Sequence, residues 1–257
     1  MDTSGGHPAL TWPDFVERFR NTDRPLPHPW SDMFAPLRTS GEDGLTIVAQ
    51  LGQSLDGRIA TESGDSHYIN RADGLEHLHR LRSLVDAVLV GVGTALADDP
   101  QLTVRRVQGP NSARVVIDPK GRLPANAKLL RDDGVRRVVL TTEAARYEMP
   151  NGVEVVRLPP SGGQIAPATI RSALRECGFR RVLIEGGTDT LSRFLAAGCL
   201  DRLHVIVAPI ILGSGRPGFA LPPITRVAEA VSVASMRSFP LGEEVLLDCA
   251  LEPHAAA

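Results

Sequence analysis

The sequence predicts an α/β fold of the largely parallel kind: a central sheet with helices on both faces and antiparallel strands at the C-terminal end. Three observations carry this. From Leu45 onward, strand-like and helix-like segments alternate, the order in which helical crossovers build a parallel sheet. The strand candidates are runs of Val, Ile and Leu without period-2 alternation, as expected of strands covered on both faces. The stretch 230–251 lacks a helical period and reads as antiparallel strands.

Residues 1–44 read as a proline-rich arm. Pro8, Pro13, Pro25, Pro27, Pro29 and Pro36 break any long helix, and both tryptophans, Trp12 and Trp30, lie here. Trp12 to Arg20 fits one short amphipathic helix opened by Pro13 in its first turn. The arm either covers a hydrophobic patch or a dimer edge, or closes over a substrate pocket. Residues 45–257 then form one domain. Its strand candidates are 45–50, 85–91, 113–118, 136–141, 153–157, 181–185 and 203–208, and its helix candidates lie near 73–83, 167–177 and 188–198.

A chain of 257 residues is long enough to bury a core without staples. The 28 basic and 30 acidic residues leave a formal net charge of −2, which offers nucleic acid or an anionic membrane no general attraction. Any anion site is therefore local. Cys177, Cys199 and Cys249 are odd in number and unpaired in spacing, which fits reduced thiols in a cytoplasmic protein. No apolar stretch approaches the length of a membrane span.

Two glycine turns follow strand candidates. Gly91-Val92-Gly93-Thr94 succeeds the apolar run 85–90, and glycines there let backbone amides approach a bound nucleotide. The same spacing also makes an ordinary tight βα connection, with Thr94 as a helix N-cap and Asp98 as a capping or turn residue before Pro100. A third glycine is missing near Ala97, which disfavours the standard dinucleotide fingerprint. Ile184-Glu185-Gly186-Gly187-Thr188-Asp189-Thr190 likewise ends a strand and opens a helix. It reads either as a pyrophosphate cradle or as a βα turn capped by Thr188 or Asp189. Asp56, before Gly57, reads as a structural turn residue. The histidines form no metal-ligating cluster, and the zinc-deaminase, Gly-x-Ser-x-Gly and Walker signatures are absent.

Together with Gly52-Gln53-Ser54-Leu55-Asp56-Gly57, Ser63-Gly64-Asp65-Ser66, Val115-Val116-Ile117-Asp118 and Ala208-Pro209-Ile210-Ile211-Leu212-Gly213, these runs resemble the reductase domain of the bifunctional riboflavin-biosynthesis deaminase/reductase. That domain is a relative of dihydrofolate reductase in fold. The resemblance covers roughly Leu45 to Leu251 and omits the deaminase half.

The resemblance implies an NADPH-dependent oxidoreductase that reduces the ribosyl group of a 5-amino-6-(5-phosphoribosylamino)uracil-type pyrimidine to the ribitylamino product, with a homodimer as the working form. It implies Ser66, Arg82, Leu102, Arg105 and Glu185 as substrate contacts. Arginines suit a phosphate monoester because guanidinium groups bind its oxygens in paired hydrogen bonds. It implies Gly52, Tyr68, Thr94, Asp98, Gly186, Gly187, Thr188, Asp189, Thr190 and Arg193 beside the cofactor. Three positions depart from the family. Tyr68 stands where tryptophan is common, Gln50 where bacterial members usually carry Lys, and Pro119 where some carry Ser. The loss of charge at Gln50 keeps a related pterin, dihydrofolate or specialised pyrimidine in view as substrate. A non-catalytic NADP-binding protein is the remaining alternative. Pro119 leaves NADH open beside NADPH, with Lys120, Arg122 or Arg193 available for a 2′-phosphate.

Overall fold

A computed structural model of the chain describes residues 10–21, 24–39, 41, 43–66, 69–146 and 148–252. The strands are β1 (Thr46–Ser54), β2 (Arg58–Ala60), β3 (Ala87–Gly91), β4 (Ala113–Ile117), β5 (Arg137–Thr141), β6 (Val153–Arg157), β7 (Arg181–Glu185), β8 (Arg202–Ala208), β9 (Arg216–Pro217), β10 (Val233–Leu241) and β11 (Glu244–Leu251). The helices are α1 (Trp12–Asn21), α2 (Ser31–Phe34), α3 (Ala72–Leu84), α4 (Val92–Asp98), α5 (Pro167–Glu176) and α6 (Thr188–Ala196). Among the described residues, nine strands form one sheet in the order β10-β11-β8-β1-β7-β3-β4-β5-β6, and β2 pairs with β9 separately. Every neighbouring pair from β8 to β6 is parallel, while β11 joins β8 and β10 joins β11 antiparallel. The expected architecture is the observed one.

Strand parity explains why the apolar runs show no alternation. Ile47 and Ala49 pack with Ile170 and Leu174 of α5 and Leu191 and Phe194 of α6. Val48, between them, packs in a second cluster with Leu81 and Leu84 of α3 and with the N-terminal segment. Each central strand thus buries both of its faces.

In the N-terminal segment, Trp12, Phe15, Val16 and Phe19 form the buried stripe of α1. Phe15 stacks on Trp12 at 5.2 Å between ring centroids, and Phe34 stacks on His77 of α3 at 5.4 Å. This segment covers the α3 side of the sheet, as one of the expected roles required.

Several local features were not foreseen. β1 continues past 50 because residues Val48 to Ser54 pair with β8 along their whole length. The run 92–98 coils into α4, which is capped at Gly91, three residues before the Thr94 cap alternative. The paired segments β2 and β9 are too short to show a period.

Candidate active site

A cavity of about 870 Å³ opens at the C-terminal ends of β1, β7, β3 and β4, where parallel α/β sheets place their ligands. Two loops meet in it. A β-carbon on Gly91 would run into Thr190 Oγ1, and one on Gly187 would lie 2.7 Å from Thr94 Oγ1. Each glycine turn therefore accepts a threonine from the other, and a side chain at either glycine would separate them. Gly93 meets nothing within 4 Å and lines the cavity, so its backbone is open to a bound group. Gly186 and Gly187 both hold positive φ, at 58° and 73°, which β-carbon-bearing residues adopt at a cost.

The cap alternatives fail on geometry. The N-cap of α4 is Gly91 and that of α6 is Gly187, and neither end has a side-chain cap hydrogen bond. Thr94 lies within α4. Thr188 Oγ1 instead donates to the carbonyl of Pro217, at 2.9 Å. Asp98 ends α4 and lines the cavity, while Asp99 supplies the left-handed C-cap.

Arg82 and Glu185 form a bidentate pair on the cavity wall, with Nε to Oε1 and Nη2 to Oε2 both at 2.6 Å. The third guanidinium nitrogen, Nη1, donates to Thr103 O at 2.9 Å. Burial alone would lower the Arg82 pKa, but the charge and hydrogen bonds of Glu185 outweigh it and raise it. The two parallel bonds thus fix the orientation of both side chains against each other.

Nearby, His79 Nδ1 accepts the backbone N–H of Arg105 at 2.9 Å. Burial, followed by the charges of Arg82, Arg105 and Arg106, lowers the His79 pKa to about 4.

The residues implied by resemblance gather closely. Gly52, Ser66, Arg82, Thr94, Asp98, Leu102, Glu185, Gly186, Gly187, Thr188, Asp189, Thr190 and Arg193 all line the cavity, as do Gln50 and Pro119. Arg105 is not among the lining residues, because its guanidinium turns back to Gln101 Oε1 at 2.9 Å and Thr103 Oγ1 at 3.4 Å. Tyr68 lies outside the described residues. Arg193 donates to Ile165 O at 2.8 Å and to Gln164 Oε1 at 3.4 Å.

Asn70, Gln164 and Arg216 also line the cavity and escaped sequence reasoning. Asn70 Nδ2 donates to Glu244 Oε1 at 2.9 Å, and Glu244 also accepts the amides of Arg71 and Gly74 at the start of α3. This turns Asn70 Oδ1 onto Gly52, where a β-carbon would coincide with it. Among the described residues no cluster of His, Cys, Asp and Glu is arranged to hold a metal, and no helix is long and apolar enough to cross a membrane.

Comparison with known proteins follows the same residues. The family model described as the RibD C-terminal domain matches residues 45–247. A 2,5-diamino-6-ribosylamino-4(3H)-pyrimidinone 5′-phosphate reductase of Methanothermobacter thermautotrophicus is 33% identical over 215 residues, covering 79% of this chain and 96% of its own length. The riboflavin biosynthesis protein RibD of Aquifex aeolicus is 34% identical over 205 residues, 78% of this chain. The chain spans only 56% of that relative's length. Among solved structures, a deaminase/5-amino-6-(5-phosphoribosylamino)uracil reductase of Thermotoga maritima superposes with a TM-score of 0.66 at 30% identity, covering 80% of this chain and 56% of that one.

Proposed function

The chain belongs to the RibD C-terminal domain family, and on that premise we propose that it is an NADPH-dependent reductase of a 5′-phosphorylated ribosylamino-pyrimidine, giving the ribitylamino product. The observation that carries this reading is that one cavity joins the two interlocked glycine loops to the Arg82–Glu185 pair. A dinucleotide fits the loop side, because Gly93 is open and Gly186, Gly187 and Thr190 present backbone and hydroxyl groups. When bound, the nicotinamide supplies the hydride.

The protein's own part is orientation. Glu185, held at both oxygens by Arg82, is a fixed acceptor for substrate hydroxyl or amino groups. Ser66 and Leu102 stand on the same cavity wall set. Arg193 is committed to Ile165 and Gln164, so Arg122 is the better placed of the named cations for a 2′-phosphate and for preference of NADPH over NADH. The reading places the enzyme in the cytoplasm as a homodimer. The three free cysteines suit a reducing compartment, and the edge strand β10 leaves Val233 and Met236 exposed, which a second copy would cover.

Gln50 favours one second reading. It lines the cavity as a neutral amide beside Glu185 in register, so a pterin or dihydrofolate without the phosphorylated sugar is the competing substrate class.

The test is NADPH oxidation at saturating cofactor with the 2,5-diamino pyrimidinone 5′-phosphate, its deaminated uracil counterpart and dihydrofolate in parallel, repeated with NADH. Turnover of either phosphorylated pyrimidine, faster with NADPH, is the expected result. Turnover of dihydrofolate alone would establish the second reading, and NADPH binding without turnover of any would leave only a cofactor-binding role.

A further inference from the structure

The arginines lining the cavity differ in what already holds them. Arg82 is committed to Glu185 and Thr103, and Arg193 to Ile165 and Gln164. Among the described residues, Arg122 and Arg216 line the same cavity with no ion pair or side-chain hydrogen bond of their own. A phosphate-bearing ligand needs cations with free donors, because a guanidinium already filled by a carboxylate has little left to offer.

Arg216 differs from an ordinary solvated arginine in how firmly its backbone is held. It pairs with Ala60 across the β2–β9 ladder. On its N-terminal side, the Asp56 carboxylate accepts the amides of Leu212 and Gly213 at 3.1 and 2.8 Å. These bonds and the Ser54 hydroxyl lower the Asp56 pKa to about 2. On its C-terminal side, Pro217 O accepts Thr188 Oγ1 at 2.9 Å, and Gly218 N donates to Gly57 O at 3.1 Å. Gly215, at φ 133°, passes so close to Ala60 O that a β-carbon would strike it. The guanidinium itself lies over Gly64, where a β-carbon would stand 3.0 Å from Nη2. These contacts hold the backbone that carries Arg216, whose exposed, unpaired guanidinium lies over Gly64 on the cavity wall.

We propose that Arg216 binds a phosphate group of the ligand held in this cavity. The proposal rests on the reductase reading above, which puts phosphate there from two sources. One is the pyrophosphate of the cofactor, since Thr188 opens α6 beside the glycine loop and is bonded to the residue next to Arg216. The other is the 5′-phosphate of the substrate, since Gly64 and Ser66 lie on the same side of the cavity. In either case the planar guanidinium donates to phosphate oxygens in charge-assisted bonds, and the restrained loop spares the ordering that a free surface arginine requires.

The experiment compares the full-length wild type with Arg216→Ala and Arg216→Lys. NADPH affinity is read by fluorescence titration without substrate, and KM is read for the phosphorylated pyrimidine and its dephosphorylated counterpart. Arg216→Ala is expected to weaken one phosphate-bearing ligand by about tenfold or more, the loss of a charge-assisted hydrogen bond, with Arg216→Lys between the two. A weaker NADPH titration assigns Arg216 to the cofactor. Unchanged NADPH affinity with a raised KM confined to the phosphorylated pyrimidine assigns it to the substrate. Unchanged affinity for both, in a variant that melts at the wild-type temperature, overturns the proposal. Failure of the wild type to turn over any pyrimidine would instead overturn the reductase reading, while the NADPH titration would still report on Arg216.

Discussion

Arg82 on α3 and Glu185 at the end of β7 hold each other by two parallel hydrogen bonds of 2.6 Å, with only 8% and 10% of their side chains exposed. Removing one partner leaves the other charge buried without compensation. Arg82→Ala or Glu185→Ala is therefore expected to cost about 3–5 kcal/mol. The double variant should cost less than the sum of the two. Thermal melts of the two singles and the double check this, and strict additivity would show that the pair is not coupled. Activity of the single variants is interpretable only beside those melts, because a raised KM in Arg82→Ala has two origins.

Gly52 owes its identity to Asn70. A β-carbon there would coincide with Asn70 Oδ1, and Asn70 cannot withdraw freely because its amide is bonded to buried Glu244. Gly52→Ala is expected to lose about 1–3 kcal/mol through overpacking and to weaken ligand binding by displacing a residue of the cavity wall. Asn70→Ala removes the obstruction, so Gly52→Ala should be milder in that background. Equal cost of Gly52→Ala in both backgrounds, by melting temperature and NADPH titration, would show that the clash is not the cause.

The strands and the glycine turns were legible because their signals are local. Runs such as Val138-Val139-Leu140 declare buried strands by composition, and Gly186-Gly187 declares a turn by the absence of β-carbons. Pairings across long stretches of chain were not legible. The resemblance implied Arg82 and Glu185 as substrate contacts, yet nothing local says that the two pair with each other. Arg105 looked equivalent to Arg82, and only the turn back to Gln101 separates them. The start of α3 shows no cap in its own sequence, because Glu244 of β11 supplies one from the far end of the chain. Arg216 had no motif at all; its placement comes from Asp56 and Thr188, which are distant in sequence.

His79 makes stability depend on pH in a stated direction. Its folded pKa is depressed to about 4 from an unfolded 6.5, chiefly by burial and then by Arg82, Arg105 and Arg106. The unfolded chain therefore binds the proton first as pH falls. Stability is full above pH 6.5 and is lost progressively down to about 4. His77, fully buried beside His204, is lowered for the same leading reason and adds to the loss. Protonated His79 also cannot accept the Arg105 amide. Melting temperature should fall between pH 7 and 4.5, and His79→Gln, which keeps an acceptor without titrating, should flatten that fall. An unchanged slope in His79→Gln would remove His79 from the account.

The aromatic segment before β1 bears structural weight that a dispensable tail would not. Phe15 is fully buried, stacks on Trp12 at 5.2 Å and packs with Phe34, which in turn lies on His77 of α3. Phe15→Ala is expected to cost about 3–5 kcal/mol by opening a cavity between the segment and the sheet. For a chain of this size that is a drop of roughly 2–4 °C in melting temperature per kcal/mol. Val227→Ala, at a side chain 90% exposed, supplies the comparison and should shift the melt little. A single cooperative transition that moves down in Phe15→Ala shows that the segment and the sheet unfold as one unit. A separate early transition, with the main one unmoved and NADPH binding intact, would show that the segment docks without stabilising the reductase domain.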